Sequence, residues 1–99
     1  MGATTVSRFV EKSEYNPTRQ IAFERLVKQD RYENGHSYSG TIGMKTSCTD
    51  RKTVDSHEAA QEFIDADMDN NDKFGPAFAV TVRVNGVVVG WAFYGWVAE

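Results

Sequence analysis

Residues 78–94 read FAVTVRV, then Asn85-Gly86, then VVVGWAFY, and they carry the strongest structural signal in the chain. Both central residues of a type I′ turn need positive φ, so Asn-Gly between two alternating apolar runs predicts a β-hairpin. A two-residue loop also sets the register. It pairs the residues of one face as Val84–Val87, Val82–Val89, Val80–Trp91 and Phe78–Phe93. Because all four pairs are apolar, this face is predicted to be the core.

The opposite face of this hairpin is predicted to be flat, since Ala79, Thr81, Gly90 and Ala92 lie at its centre. Tyr94 and Trp96 share one parity along the strand and are expected to point away from the core beside that patch. Tyrosine and tryptophan are enriched in protein interfaces. We call Tyr94 and Trp96 the aromatic sheet face, and it is a candidate surface for partner binding or for a homodimer.

The composition also favours a sheet-based core. The chain has 99 residues, with eleven valines and one leucine, Leu26. β-Branched residues favour pleated surfaces, whereas leucine usually fills the seams of helical bundles. A hydrophobic content of 40% and a charged content of 25% are typical of globular proteins, which excludes the disordered and fibrous classes. The length fits a single domain over residues 1–99.

Four further elements are expected before the hairpin. The pattern predicts a strand over residues 4–11 and a helix over residues 16–33 that begins at Asn16-Pro17. A second strand over residues 36–46, a polar loop over residues 47–53 and a helix over residues 55–68 follow. Asp55 and Glu58 have the spacing of a helix-capping pair. The order β-α-β-α-β-β predicts an α+β two-layer sandwich, with both helices on one face of a mostly antiparallel four-stranded sheet.

The charges are distributed unevenly along the chain. Residues 1–53 hold nine Lys and Arg against six Asp and Glu, whereas residues 54–99 hold two against eight. The basic residues of the first half are interspersed with acidic ones. Direct nucleic-acid binding needs a concentrated basic face, so the sequence argues against it.

Six acidic residues of the second half follow helical spacing. They are separated by 3, 4, 3, 4 and 3 positions, and we call them the acidic stripe: Asp55, Glu58, Glu62, Asp65, Asp69 and Asp72. One interpretation is a solubilising face opposite the buried side of the helix. The other is a surface that docks onto a basic, nucleic-acid-binding surface of another protein, with carboxylates at the positions of phosphates.

The sequence contains few groups that could perform catalysis. Cys48 could in principle pair with His36 or His57, but no motif surrounds it, and a free surface thiol is the simpler interpretation. The Asp-x-Asp-x-Asp run that begins at Asp65 resembles a calcium loop. Asn70 stands at the position that requires glycine and Pro76 at that of the bidentate glutamate. No nucleotide or zinc motif is present, so no catalytic residue, metal site or cofactor is predicted, and the expectation leans against an enzyme.

The compartment is inferred from two further features. No apolar run approaches the roughly 20 residues that span a bilayer, and residues 1–5 lack an apolar signal core. A single cysteine suits a reducing compartment. We therefore expect a cytoplasmic protein of a bacterial or phage-infected cell, without a membrane contact.

Three segments carry a resemblance to known sequences: residues 32–36 (YENGH), residues 38–42 (YSGTI) and residues 72–77 (DKFGPA). With them the chain resembles a group of short uncharacterised proteins of bacteria, phages and plasmids. That group has a Tyr-x-Gly-Thr-Ile stretch and an Asp-Lys-Trp-Gly-Pro-Ala stretch, in which Phe74 here replaces the tryptophan. The resemblance covers about residues 20–95. It implies a mobile-element setting, in which small acidic domains often inhibit host or defence machinery, and it brings no active site.

The first hypothesis is therefore a small non-catalytic binding protein that modulates or inhibits a host or defence macromolecule. Its predicted partner-binding residues are those of the acidic stripe from Glu58 onward and of the aromatic sheet face: Glu58, Glu62, Asp65, Asp69, Asp72, Tyr94 and Trp96. The alternative is a protein that binds or sequesters a small, nucleotide-like ligand, with a pocket near Tyr38, Gly40, Trp91 and Tyr94, either within one chain or at a dimer interface.

Overall fold

The computed structural model describes residues 3–34, 42, 45–71 and 75–98. Its strands are β1 (Ala3–Glu11), β2 (Cys48–Val54), β3 (Ala77–Val84) and β4 (Val87–Ala98), and its helices are α1 (Arg19–Asn34) and α2 (His57–Asp67). A short 3₁₀ turn, Met68–Asn70, follows α2. The elements occur in the predicted order β-α-β-α-β-β, and the class is α+β as expected.

The four strands form one mixed sheet in the order β1-β4-β3-β2. β4 lies between β1 and β3 and is antiparallel to both, whereas β2 and β3 are parallel. The prediction of a mostly antiparallel sheet thus misses the β2–β3 pair. The reason lies in the connection, because α2 carries the chain from the end of β2 back to the start of β3, as parallel neighbours require.

The two helices lie on opposite faces of the sheet, so the predicted two-layer sandwich with both helices on one face is wrong. Phe23 and Leu26 of α1 pack with Trp91 and Phe93. On the other face, Ile64 of α2 belongs to a second apolar cluster. Successive residues of a strand point to opposite faces, and β3 and β4 are apolar at nearly every position. Such continuous apolar runs are typical of strands covered on both faces.

The Asn85-Gly86 turn forms as predicted, with φ of 53° at Asn85 and 79° at Gly86. The register beyond it differs from the predicted one. Arg83 pairs with Val88 but Val82 pairs with Gly90, so Val89 is an extra residue in β4. This bulge moves every later pair by one position: Thr81–Trp91, Val80–Ala92, Ala79–Phe93 and Phe78–Tyr94. Of the four predicted pairs, Val84–Val87 forms, whereas Val82–Val89, Val80–Trp91 and Phe78–Phe93 are wrong.

The second strand lies later in the chain than the sequence indicates. β2 occupies most of the segment that was predicted to be a polar loop, and its residues from Thr49 to Thr53 are exposed. Of the predicted strand over residues 36–46, most lies outside the described residues, while Ile42 and Lys45 are buried but not in a strand. A polar edge strand carries little periodic signal, so its pairing with β3 decides its structure.

The capping residue of each helix lies one or two positions later than predicted. Thr18, not Asn16, caps α1, since its hydroxyl accepts a hydrogen bond of 3.2 Å from the Ile21 amide. Ser56, not Asp55, caps α2, and its hydroxyl accepts one of 3.0 Å from the Ala59 amide. Serine and aspartate are comparable caps. Residue type therefore does not decide which of two neighbouring candidates caps a helix. The position at which the preceding segment ends decides it.

Candidate functional site

The acidic stripe lies on the outward side of α2 and beyond its end. Glu58, Glu62 and Asp65 are on the helix and Asp69 is in the 3₁₀ turn, and all four are exposed. Asp55 is exposed just before the helix, and Asp72 lies outside the described residues. α2 has 11 residues, which corresponds to about 16 Å at 1.5 Å per residue. The helical part of the stripe is therefore shorter than its sequence spacing suggests.

These carboxylates remain available to a partner. Within the described part of the chain, the ion pairs are Arg8–Asp30, Arg19–Asp50 and Arg51–Asp67, and none includes a residue of the stripe. Asp65 accepts a hydrogen bond of 2.9 Å from Gln61 one turn earlier. The stripe thus presents several negative charges on one side of the molecule, and among the described residues no cation lies within ion-pair distance of them.

A buried carboxylate fixes the opposite side of α2. Arg51 donates two hydrogen bonds to Asp67, from Nε at 3.0 Å and from Nη2 at 3.1 Å. The Tyr94 hydroxyl donates to Asp67 Oδ2 at 2.7 Å and Asn70 Nδ2 donates to Oδ1 at 2.8 Å. The Arg51 guanidinium also lies 4.4 Å from the centre of the Phe78 ring. β2, α2 and β4 therefore meet at a single side chain.

The hydrogen bonds to Asp67 stabilise its charged form. The bond from Arg51, supported by those from Asn70 and Tyr94, lowers the pKa of Asp67 to about 2. Burial, with the nearby Asp67 charge, raises the pKa of Tyr94. Asp67 is thus a carboxylate and Tyr94 a neutral donor throughout the physiological pH range, which is the pattern of a structural anchor rather than of a proton-transfer pair.

The predicted aromatic sheet face is not a free surface, and the expectation that Tyr94 points away from the core is wrong. Tyr94 is 0% exposed, because the bulge in β4 turns it towards α2. Trp96 is half-buried, and its backbone amide donates a hydrogen bond of 2.9 Å to Asn71 Oδ1. Of the two aromatic residues predicted to bind a partner, Trp96 alone retains exposed surface.

The residues of the predicted ligand pocket do not come together in the described structure. Trp91 packs in the cluster under α1, whereas Tyr94 packs in the cluster under α2. The sheet itself separates the two side chains. Tyr38 and Gly40 lie outside the described residues. The pocket hypothesis therefore has no described cavity to support it.

Asn71 is a structural residue whose role the sequence did not reveal. It is buried beside Gly95 and accepts a hydrogen bond of 3.2 Å from the buried Lys45 ammonium. It also donates one of 2.9 Å to the Pro76 carbonyl. A Cβ at Gly95 would lie 2.6 Å from Asn71 Oδ1, so only glycine leaves room for this side chain. In the sequence, an Asn70-Asn71 pair indicates no more than the end of a helix.

The candidate catalytic residues are separated. Cys48 lies in β2 and packs against the cluster under α1, not in a polar loop as predicted. His57 opens α2 on the other face, where its ring lies 4.6 Å from that of Phe9. Burial raises the pKa of the Cys48 thiol, although Arg19 opposes this effect, so the reactive thiolate is disfavoured. His36 lies outside the described residues.

The described residues also show how the Asp-rich run is used. Asp67 points inward to Arg51, whereas Asp65 and Asp69 point to solvent. Within residues 3–34, 42, 45–71 and 75–98, no group of three or more His, Cys, Asp or Glu side chains is placed to hold a metal ion. No helix in that part of the chain is long and apolar enough to cross a membrane.

A second surface lies on the α1 side of the sheet, between that helix and the edge strand β1. A cleft of about 730 Å³ opens there, and its cationic lining residues are Arg8, Arg25 and Lys28. We call it the basic cleft. Its apolar lining includes Val10, Ala22 and Leu26, and Tyr32, which is 92% exposed, stands at its rim. In the sequence these cations are interspersed with acidic residues and form no obvious patch. The helical spacing of Arg25, Lys28 and Tyr32 is the signal that would have grouped them.

Comparisons with models of protein families, with curated proteins and with solved structures give no match to this chain. The resemblance to short phage and plasmid proteins therefore remains a prediction.

Proposed function

We propose that this chain is a small non-catalytic binding protein that acts on another macromolecule through the outward side of α2. The observation that carries this proposal is the exposed position of Glu58, Glu62, Asp65 and Asp69, none of which has an ion-pair partner in the described structure. The surface is predicted to dock onto a basic surface of a protein, such as one that binds nucleic acid.

The way α2 is held supports such a role. Ala60 and Ile64 are buried in the apolar cluster, and the Asp67–Arg51 bonds fix the end of the helix. The stripe is thus presented by a positioned helix, and little conformational freedom remains to be lost on binding. Like charges one turn apart disfavour a helix by about 0.2–0.5 kcal/mol per pair. A cationic partner would relieve that repulsion.

The biological setting of this proposal comes from the resemblance to phage and plasmid proteins. In that setting the partner would be a host or defence macromolecule, and binding would modulate or inhibit it. Trp96, beside the end of α2, is available to extend the contact. The mode of action is occupancy of a surface, without chemistry on the partner.

The test compares two variants with the same change in net charge. One replaces Glu58, Glu62, Asp65 and Asp69 with lysine. The control replaces four exposed acidic residues outside the stripe with lysine: Glu11, Glu14, Glu24 and Glu33. Each protein is used to capture partners from bacterial lysate at low salt and at about 0.5 M salt, because salt screens exposed ion pairs.

The expected result is a partner that the wild type and the control retain, that the stripe variant loses, and that salt releases. The captured partner is then purified and its affinity for all three proteins is measured. A partner retained equally by the stripe variant, or lost equally by the control, would show that the acidic stripe is a solubilising face.

A further inference from the structure

We propose that the basic cleft and the free edge of β1 bind an extended acidic segment of a partner protein, which adds to the sheet as a fifth strand. This site lies on the other face of the sheet from α2 and has the opposite charge, so the inference is independent of the function proposed above. It rests on the free edge, on the shape of the cleft and on its cations.

The backbone of β1 is placed to accept an added strand. This strand is at the edge of the sheet, and among the described residues it pairs with β4 alone. The Lys12 amide donates to the Val89 carbonyl at 2.9 Å, so the backbone groups of alternate residues before it, such as Val10 and Arg8, also face β4. The residues that alternate with these, among them Ser7 and Phe9, have backbone groups that face outward and are free to pair with an added strand.

The groove next to that edge has room for an added strand. An added strand beside β1 would lie in the cleft between β1 and α1, which Val10 lines together with Leu26 and Ala22. Alternate side chains of the added strand would then point towards α1. A helix beside a sheet edge is a recurring arrangement for binding extended peptides.

The charges of the cleft favour an acidic segment. Arg25 and Lys28 are exposed and form no ion pair within the described structure. Arg8 is half-exposed and pairs with the buried Asp30 at 3.2 Å, so it contributes less net charge. The Glu11 side chain, by its parity in β1, points to the other face of the sheet. Acidic side chains at every second position of the bound segment would complement this lining.

The same charges argue against a second copy of the chain as the occupant. Pairing β1 with another β1 would bring a second Arg8 into a cleft that already holds Arg25 and Lys28. Like charges across an interface are unfavourable. A partner segment with alternating Glu or Asp avoids this repulsion, and we therefore assign the site to an acidic peptide.

The test uses a ten-residue peptide of alternating Glu and Thr, with an alternating Gln and Thr peptide of the same length as the charge control. Each is titrated into the wild-type chain, and binding is followed residue by residue through backbone amide shifts. Amide hydrogen exchange is then measured with and without the peptide. We expect the Glu peptide to bind at least about tenfold more tightly than the Gln peptide, and to slow exchange at the Thr5, Ser7 and Phe9 amides.

Two pairs of variants separate charge from strand addition. Arg25→Glu with Lys28→Glu should weaken the Glu peptide about tenfold, whereas Lys52→Glu with Arg83→Glu, the same charge change at exposed residues elsewhere, should not. Ser7→Pro removes an outward amide from the edge and should weaken binding about fivefold or more relative to Ser7→Ala.

The proposal is overturned by any of three results. The Glu and Gln peptides could bind equally, the amides of β1 could exchange at the same rate with and without peptide, or the chain could dimerise through β1 and protect these amides by itself. The exposed charge variants keep the test valid even where Ser7→Pro disturbs the strand.

Discussion

At the scale of single residues, Asp67 shows how one position can depart from its neighbours. In the sequence it belongs to the Asp-x-Asp-x-Asp run that begins at Asp65. In the structure it lies seven positions after Ala60 and three after Ile64, and therefore on the same buried side of α2 as these two residues. Buried charges are tolerated when they are paired and hydrogen-bonded. The bonds from Arg51, Asn70 and Tyr94 meet that condition, so the residue stabilises the fold while the rest of the run remains exposed.

Replacing Asp67 with asparagine should therefore destabilise the protein by about 1–3 kcal/mol at neutral pH, because Arg51 and Tyr94 lose a charged acceptor. The matched control is Asp65→Asn, two positions away on the same helix, where the side chain is exposed and bonded to Gln61. Urea unfolding of the wild type and both variants measures the effect. Equal stability of the two variants would contradict the role assigned to Asp67.

The same contact predicts how stability depends on pH. The pKa of Asp67 falls from its ordinary value of 3.8 to about 2 in the folded protein. A lowered folded-state pKa contributes stability above the unfolded pKa, and this contribution is lost as the pH falls through the folded pKa. The difference in unfolding free energy between wild type and Asp67→Asn should thus be constant above about pH 5 and should shrink between about pH 4 and pH 2.

At the scale of elements, the starts of helices and the register of strands depend on details that a pattern does not contain. Asp55 and Ser56 are both good caps by type, and the structure uses the serine. The hairpin turn forms as its Asn-Gly sequence predicts, but the bulge at Val89 reverses which residues of β4 lie on each face. A single extra residue is enough, because side chains alternate with a period of two.

The two cap candidates give a direct test at this scale. Ser56→Ala should reduce the free energy of unfolding by about 1 kcal/mol, since the Ala59 amide loses its acceptor. Asp55→Ala removes an exposed carboxylate that makes no such bond and should change stability by less than about 0.5 kcal/mol. Thermal and urea unfolding of both variants measure this difference. A larger loss for Asp55→Ala would restore the cap predicted from the sequence.

At the scale of the whole molecule, two apolar clusters share one sheet. Trp91 and Phe93 of β4 belong to the cluster under α1, and Ala92 and Tyr94 of the same strand belong to the cluster under α2. Each helix therefore covers a face of the same two central strands. Loss of either cluster removes the support of β3 and β4, so the two faces are expected to unfold together.

This arrangement predicts one cooperative transition. Leu26→Ala in α1 and Ile64→Ala in α2 should each lower the free energy of unfolding by about 2–5 kcal/mol, as large-to-small changes in a core do. In a Trp96→Phe background, the fluorescence of Trp91 reports on the α1 side alone. We expect Ile64→Ala, on the far face, to lower the fluorescence and circular dichroism midpoints by the same amount. A fluorescence midpoint that stays unchanged would show that the faces unfold separately.

Local patterns in the chain were enough to predict the order of the elements, the α+β class, the Asn85-Gly86 turn and the exposed position of Glu58, Glu62, Asp65 and Asp69. These features depend on neighbouring residues, through turn conformation, capping and helical spacing. The position of β2 was not predictable, because its polar residues form a strand only beside β3.

Tertiary structure alone decided which face each side chain occupies. The bulge buried Tyr94, the two-sided apolar strands placed the helices on opposite faces, and the packing of α1 beside the edge strand gathered Arg8, Arg25 and Lys28 around one cleft. These outcomes depend on contacts between residues far apart in the chain, whose pairing a local pattern does not specify.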